Sequence, residues 1–531
     1  MTRARVVIVG GGFGGVYAAR CLEKALRPHE ASISLVNREN YFVFQPLLPE
    51  VVSASIGILD TVSPIRRLCR RTALYVRDVE RLDFERRVVV LAPGLRPRTL
   101  ELPYDYLVLA PGTVTDFTGM PGLAEHAIPF RTLGDALRVR NRAIQALEEA
   151  ASEPDAEFRR RLLTFVVGGG GFSGVEVIAE LNDFLRRASR HYVGLRPEDI
   201  RCVLVHSGDR ILPEMDPGLG EYAQRLLARR GVELKLKARV KAATQDSVVL
   251  NTGETIAART LISTVPAGPT PLVAGLGCPK EKGRILVNTS LEVEGQAGRA
   301  WALGDCASIR MADGTPAPPT AQHATREAEL VAANIAATVR GRPQRTFQFA
   351  GLGKLGSLGH RSAVAEVFGL KISGFPAWFL WRTIYLMKMP GIDRKFRVGL
   401  DWLTGLIFPP DLVQLRVQPS DNISNEHYEP GEIIVNEGDV GDRMFVIRNG
   451  RVEVLRNEVR IAEHGPGDVF GEMALLSGAP RNATVRAIES TDLVSIGKSD
   501  LMKLFASFPD LQTAIRTLSE LRVERPAAGS D

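Results

Sequence analysis

"RVVIVGGGFGGVYAARCLEKA", residues 5–25, joins a short β-branched run to the spacing Gly10-x-Gly12-x-x-Gly15 and then to a helical pattern. The first glycine permits a tight turn, the second lets backbone approach a pyrophosphate, and the third lets helix and strand pack closely. The helix then aims its N-terminal amides at the anion. A GxGxxG alone matches many loops, but one that follows a strand and opens a helix predicts a dinucleotide cradle. The pattern recurs in "LLTFVVGGGGFSGVEVIAEL", residues 162–181, with Gly169, Gly171 and Gly174. Two such units predict two dinucleotides on one chain.

Each unit should place a carboxylate at the end of its second strand, to bind a ribose. The sequence departs from this twice. In "ISLVNRENY" the position holds Asn37, with Glu39 two residues on. An amide can still accept a hydroxyl proton, without charge assistance. In "RCVLVHSGDRILPEMD" the position holds His206, followed by Ser207 and Arg210, with no charge to repel a 2′-phosphate. NADH and NADPH therefore both stay open. A third element, "RAWALGDCAS" at 299–308, ends a buried-looking strand in Gly304-Asp305. Beside two dinucleotide folds, this looks like the element that brings an aspartate to a flavin's ribityl chain.

A chain of 531 residues is too long for one domain, and 45% hydrophobic with 24% charged residues is an ordinary globular balance. The net charge of +6 suits nucleic acid, an anionic membrane or phosphorylated ligands, and does not choose among them. The five cysteines (Cys21, Cys69, Cys202, Cys278, Cys306) form no CxxC or CxxxxC, so neither a metal knuckle nor a redox disulfide is expected. The apolar run "VVIVG" passes into a glycine loop rather than a cleavage site, so no secretory signal is expected. No run of about eighteen uncharged apolar residues exists to cross a bilayer as a helix.

Residues 1–415 resemble the type II, non-pumping, single-subunit NADH:quinone oxidoreductases. The matching stretches run in order: "VVIVGGGFGG", "YFVFQPLLPEV", "YDYLVLAPGT", "VVGGGGFSGVE", "WALGDCA" and "PPTAQHATREAELVAANI". "FQPLLPEV" and "PPTAQ" are the specific ones; the glycine stretches belong to the whole two-dinucleotide flavoprotein superfamily. The resemblance implies FAD in the first cradle and the nicotinamide cofactor in the second. It implies a quinone beside Thr320, Ala321 and Gln322. NAD(P)H would pass a hydride to FAD, and two electrons would go on to quinone. Glu176 resembles a family glutamate lying where nicotinamide and flavin stack, able to orient the carboxamide or influence a proton. A solvated first-turn glutamate is the plainer alternative. Gln322 suits a quinone carbonyl, while His323 reads as structural rather than as a proton donor. Sulfide:quinone oxidoreductases need two cysteines bracketing the flavin, and Cys278 with Cys306 is the one conceivable pair.

Residues 374–410 hold Trp378, Trp381 and Trp402, three of the four tryptophans, with Tyr385, Arg382, Lys388, Arg394, Lys395 and Arg397. Aromatic rings beside basic residues suit the headgroup level of a bilayer, which puts this segment on an anionic membrane surface. An amphipathic helix at a homodimer interface is the alternative, and both can hold together.

After residue 420 short alternating strands with glycine turns predict a small β-roll. "FGEMALLSGAPRNATVRA", residues 470–487, then resembles the phosphate-binding cassette of cyclic nucleotide-binding domains, over about residues 422–525. That resemblance implies Gly471 and Glu472 at the ribose and Arg481 on the cyclic phosphate. Asn482 stands where cAMP-selective members carry alanine and cGMP-selective ones threonine. The purine therefore stays open, with cAMP expected before cGMP as effector, and a degenerate roll without a ligand is the alternative. No helix-turn-helix follows, so the basic charge does not mean nucleic acid.

The expected fold is α/β. A FAD-binding domain (1–119 and 290–350) takes an inserted NAD(P)H-binding domain (120–289), then a membrane-association segment (351–415) and a β-roll (422–525). A disordered tail (526–531) ends the chain. The expected activity is that of an NAD(P)H:quinone oxidoreductase at the cytoplasmic face of the cell membrane, regulated by a cyclic nucleotide. The rival is a cyclic nucleotide-responsive scaffold with an inactive flavoprotein body.

Overall fold

The computed structural model describes residues 3–92, 99–265, 267–311, 314–349, 351–405, 407–409, 411–415, 423–439, 441, 443–477, 479–497 and 501. The helical stretch expected at 498–522 and the tail at 526–531 lie outside the described residues, Leu501 apart.

The β-branched run of the first cradle becomes the central strand, Ala4–Val9, of a five-stranded parallel sheet. Its neighbours are Ala31–Asn37 and Tyr106–Leu109, with Thr72–Val76 and Ala300–Ala302 at the edges. Helices cover both faces of such a sheet, so its strands read as unbroken apolar runs. Val6 to Val9 are buried accordingly. A second parallel sheet repeats the plan: Thr164–Gly168 is central, flanked by Arg201–Val205 and Thr260–Ser263, with Val232–Lys235 and Ala127–Pro129 outside. The first sheet is completed only by Ala300–Ala302, after every strand of the second. The second lobe is thus inserted in the first. An antiparallel pair, Thr113–Thr115 with Ala267–Pro269, ties the outgoing and returning crossings together.

Three antiparallel strands, Gly353–Ser357, Ala363–Val367 and Leu370–Gly374, lead into helices Phe375–Lys388 and Ile392–Thr404. Here an expectation is corrected. Trp381 is 1% exposed and Trp402 is also buried, both in the core shared with the two lobes. The outward residues are instead Phe375, Phe379 (64% exposed) and Met387 on the first helix. Ile392, Phe396 (73%), Leu400 and Leu403 do the same on the second. The reason is chemical. Trp402 Nε1 donates to buried Glu50 Oε2 at 2.7 Å, and Arg382 sits 4.1 Å from the Trp378 ring and 4.5 Å from that of Trp402. The indoles house a charge pair, and phenylalanines and leucines take the outer face. Among the described residues no helix is long and apolar enough to cross a membrane.

The roll is two four-stranded sheets. Strand Thr491–Gly497 alternates buried and half-buried along its whole length, the period-2 pattern of a sheet with one face on a core. Its core, with Tyr428, Phe445, Val452, Phe470 and Leu493, is separate from that of the flavoprotein body. Strand Ile423–Tyr428 packs against the short helix Leu123–His126, and His126 Nε2 lies 3.1 Å from the carbonyl of His427.

Candidate functional site

Several of the body's helices are capped by side chains. Thr132 closes a capping box on Leu133–Ser152, and Asp155, Asp216 and Thr320 cap theirs. The two cradle helices differ. Phe13–Ala25 and Phe172–Ala188 begin on Gly12 and Gly171 with no side-chain cap, so their first-turn amides are left for an anion. A Cβ at Gly15 would lie 1.8 Å from the carbonyl oxygen of Gly10, and one at Gly174 the same distance from that of Gly169. A Cβ at Gly12 would meet nothing within 4 Å, which is the open approach a pyrophosphate requires. The residues present fit dinucleotides in both cradles.

Asn37 and His206 take matching places and do matching work that the sequence did not reveal. Asn37 Oδ1 accepts from the amide of Gly11 at 2.8 Å, and His206 Nδ1 accepts from that of Gly170 at 3.2 Å. Each fastens its glycine loop to the second strand. Burial lowers the pKa of His206, which keeps the ring neutral and Nδ1 able to accept.

Gly304, at φ +71°, turns the chain so that its amide donates to Glu327 Oε2 at 2.7 Å. Glu327 went unnoticed in the sequence; burial pushes its pKa up to about 7. Asp305 is half-buried beside it and faces Arg131. The Cys306 thiol donates to the carbonyls of Leu303 and Leu109, and burial pushes its pKa up to about 12. It is a neutral packing group, and all five cysteines are free.

Glu176 is buried rather than solvated. It accepts from the Ser357 amide at 2.9 Å, and burial pushes its pKa up to about 8. Ala321 opens helix Ala321–Val339, and the amide of Gln322 is spent on backbone. Its Nε2 donates to Gly353 O at 3.2 Å and its Oε1 accepts from Leu352 N at 3.0 Å, clamping the start of the C-terminal segment. His323 is buried, paired through Nδ1 with Thr320 Oγ1 and set edge-on to Phe349.

In the roll, Gly471 at φ +82° precedes buried Glu472. Arg481 is also buried, donating to Gly471 O at 2.7 Å and Arg443 O at 2.6 Å. Asn482 lies exposed at the rim, its carbonyl accepting from Arg456 Nε. The structure gathers the first three and leaves Asn482 at the edge.

Residues 4–328 match the pyridine nucleotide-disulphide oxidoreductase family, 352–409 the NDH2 C-terminal domain and 425–508 the cyclic nucleotide-binding domain. The demethylphylloquinone reductase of Synechocystis is 32% identical over 410 residues, covering 76% of this chain and 96% of its own. A type II NADH:quinone oxidoreductase of Mycobacterium tuberculosis is 31% identical over 419 residues, covering 75% of this chain and 87% of its own. The chain belongs to the type II NADH:quinone oxidoreductase family. The fold agrees: NDH2 of Plasmodium falciparum, solved with NADH, superposes with a TM-score of 0.71 at 18% identity over 77% of this chain and all of that one.

Within this type II enzyme the three parts of the body meet at one charged knot. Glu50, on the short helix Leu48–Val52, is 2% exposed and receives Trp402 and, at 3.5 Å, Arg382 Nη2. Burial still raises its pKa, with Arg382 opposing. Glu180, one turn beyond Glu176, is buried facing Glu50 and the Ser53 hydroxyl, and its pKa is raised as well. Neither Glu50 nor Glu180 was marked in the sequence. A glutamate four residues after another on a cradle helix is the signal that was available.

Proposed function

We propose that this type II oxidoreductase takes NADH in the second cradle, holds FAD in the first and reduces quinone from the cytoplasmic face of the cell membrane. A cyclic nucleotide in the roll would adjust its turnover. The observation that carries the redox reading is the pair of uncapped helix N-termini above glycine turns, in a chain of this family. FAD, when bound, supplies hydride acceptance followed by two-electron release. The chain's own residues hold and screen. Gly10, Gly12 and Gly15 would cradle a pyrophosphate, and Asp305 would meet a ribityl hydroxyl. Gly169, Gly171 and Gly174 would hold the nicotinamide cofactor, with neutral His206 leaving NADPH acceptable too. Glu176 holds a proton at its carboxyl through neutral pH.

The test is direct. The purified protein should be yellow, bleach with NADH and recover with a soluble quinone, at a rate that cAMP alters. Gly12→Val should melt where the FAD-stripped parent melts, since its Cβ meets no protein atom, yet emerge colourless. A yellow, active variant would overturn FAD in the first cradle.

Membrane attachment is supported by the outward face, where Lys388 and Arg397 flank the exposed phenylalanines and leucines. Burying each large side chain contributes about 1.5–3 kcal/mol. Phe379→Ser with Phe396→Ser and Leu403→Ser should therefore weaken partitioning into anionic vesicles by at least about 1000-fold. Bleaching by NADH should persist. Unchanged vesicle binding would place the anchor elsewhere.

A further inference from the structure

Helix Ala321–Val339 packs on the first cradle helix, Phe13–Ala25, and its inward stripe includes the buried Ala324, Ala328, Val331 and Ile335. One carboxyl, that of Glu327, stands in this stripe, where an amphipathic helix would place another apolar residue. It is 2% exposed, and a carboxyl so deeply buried is costly unless it is hydrogen-bonded. The hydrogen bond goes to one backbone group: Oε2 accepts from the Gly304 amide at 2.7 Å. The cavity beside it, lined also by Gly304, Thr320 and Arg284, measures about 10 Å³, room for about one water. That is too little space for a ligand of its own, so Glu327 acts through Gly304.

Gly304 opens the turn Gly304–Cys306 in the left-handed region, at φ +71°, just past the bond from Leu303 N to Leu109 O that closes its strand. The Cys306 thiol ties the far side of the turn to Leu303 and Leu109. Between these two ties stands Asp305, half-buried and, among the described residues, without a side-chain hydrogen bond or ion pair. Arg131, from the second lobe, lies near enough to feel its charge. A turn that slackened would let the carboxylate close on that guanidinium. Burial, and after it the like charge of Asp305, raise the pKa of Glu327 to about 7. The bond to Gly304 survives in either state, since a protonated carboxyl keeps a carbonyl oxygen to accept with.

We infer that Glu327 is a positioning residue of the flavin site: by pinning Gly304 it holds Asp305 off Arg131 and open to the ribityl chain of FAD. This rests on the placing of FAD and Asp305 above. The contribution is preorganisation, because the turn need not be ordered afresh when the cofactor arrives.

The test follows flavin release from the FAD-loaded full chain after dilution, read as a rise in flavin fluorescence, in a double-mutant cycle. Glu327→Leu keeps the bulk and removes the acceptor. It should release flavin about 10- to 100-fold faster, the scale of one hydrogen bond to a charged group. Glu327→Gln keeps an acceptor in place and should return release to within about threefold of the parent. Asp305→Asn alone should also release flavin faster. Adding Glu327→Leu to it should then change the rate by less than about threefold, since no carboxylate is left to aim. An equal effect of Glu327→Leu in both backgrounds would mark a merely structural residue and overturn the inference. Release at the parent's rate from Glu327→Leu or from Asp305→Asn would do the same. Should Glu327→Leu fail to fold, Glu327→Asp takes its place in the cycle. Its carboxyl is drawn back by one methylene, so release should be about 10-fold faster, and a parent-like rate again overturns the inference. A parent purified without flavin would instead strike the placing of FAD in the first cradle.

Discussion

Gly174→Val is expected to abolish NADH oxidation while leaving a yellow protein. The Cβ alone would lie 1.8 Å from the carbonyl oxygen of Gly169, well inside contact distance, and 3.2 Å from Thr264 Oγ1. Helix Phe172–Ala188 must then move away from strand Thr164–Gly168, taking its first-turn amides from the pyrophosphate position and Glu176 from the Ser357 amide. Misplacement by about an ångström is worth roughly 100-fold in rate, and loss of the anion contacts adds to it, so turnover should drop by at least about 1000-fold. The first cradle is built from other strands and should keep its FAD. Stopped-flow bleaching by NADH, set against the visible spectrum, reads both outcomes at once. Normal bleaching would mean that the second glycine loop is not where NADH binds.

Arg481→Gln should lower cyclic nucleotide affinity at least ~100-fold, the loss of a buried charge-assisted pair of about 3 kcal/mol. In the present state the guanidinium donates to the carbonyls of Gly471 and Arg443, which fix its place beside the Gly471 turn. Arg481→Glu should go further and unfold the roll, since a carboxylate would face those two oxygens. Basal NADH oxidation in Arg481→Gln should remain within twofold of the parent, with any cAMP response gone. Calorimetry that finds neither cAMP nor cGMP bound by the parent would end the regulatory reading. So would tight binding that changes no rate.

The cradles were legible because glycine spacing reports a local geometric demand, one that the neighbouring carbonyls enforce at Gly15 and Gly174. The roll was legible for the same reason, through period-2 strands and turn glycines. The direction of the tryptophans was not. Residues 378 and 381 lie on one helix with 375 and 379, and hydrophobicity cannot say which stripe faces inward when both are aromatic. What decided it was the buried carboxyl of Glu50, more than 300 positions away, which needed the Trp402 donor. Glu50, Glu180 and Glu327 escaped notice because a lone glutamate reads as solvated until tertiary packing covers it. Asn37 and His206 were read as ribose ligands by position, and their bonds to the glycine loops appear only when strand and loop are seen together.

The contact between the roll and helix Leu123–His126 lies just past the crossing from the first lobe to the second. A shape change in the roll would thus reach the nicotinamide lobe before the quinone side. Coupling between two binding events is reciprocal, so if a cyclic nucleotide in the roll changes the affinity for NADH by some factor, NADH changes the affinity for the cyclic nucleotide by the same factor. An enzyme abundant enough at the membrane would then take up or release messenger as the ratio of NADH to NAD⁺ swings. The respiratory substrate would be writing to the signalling pool as well as reading from it.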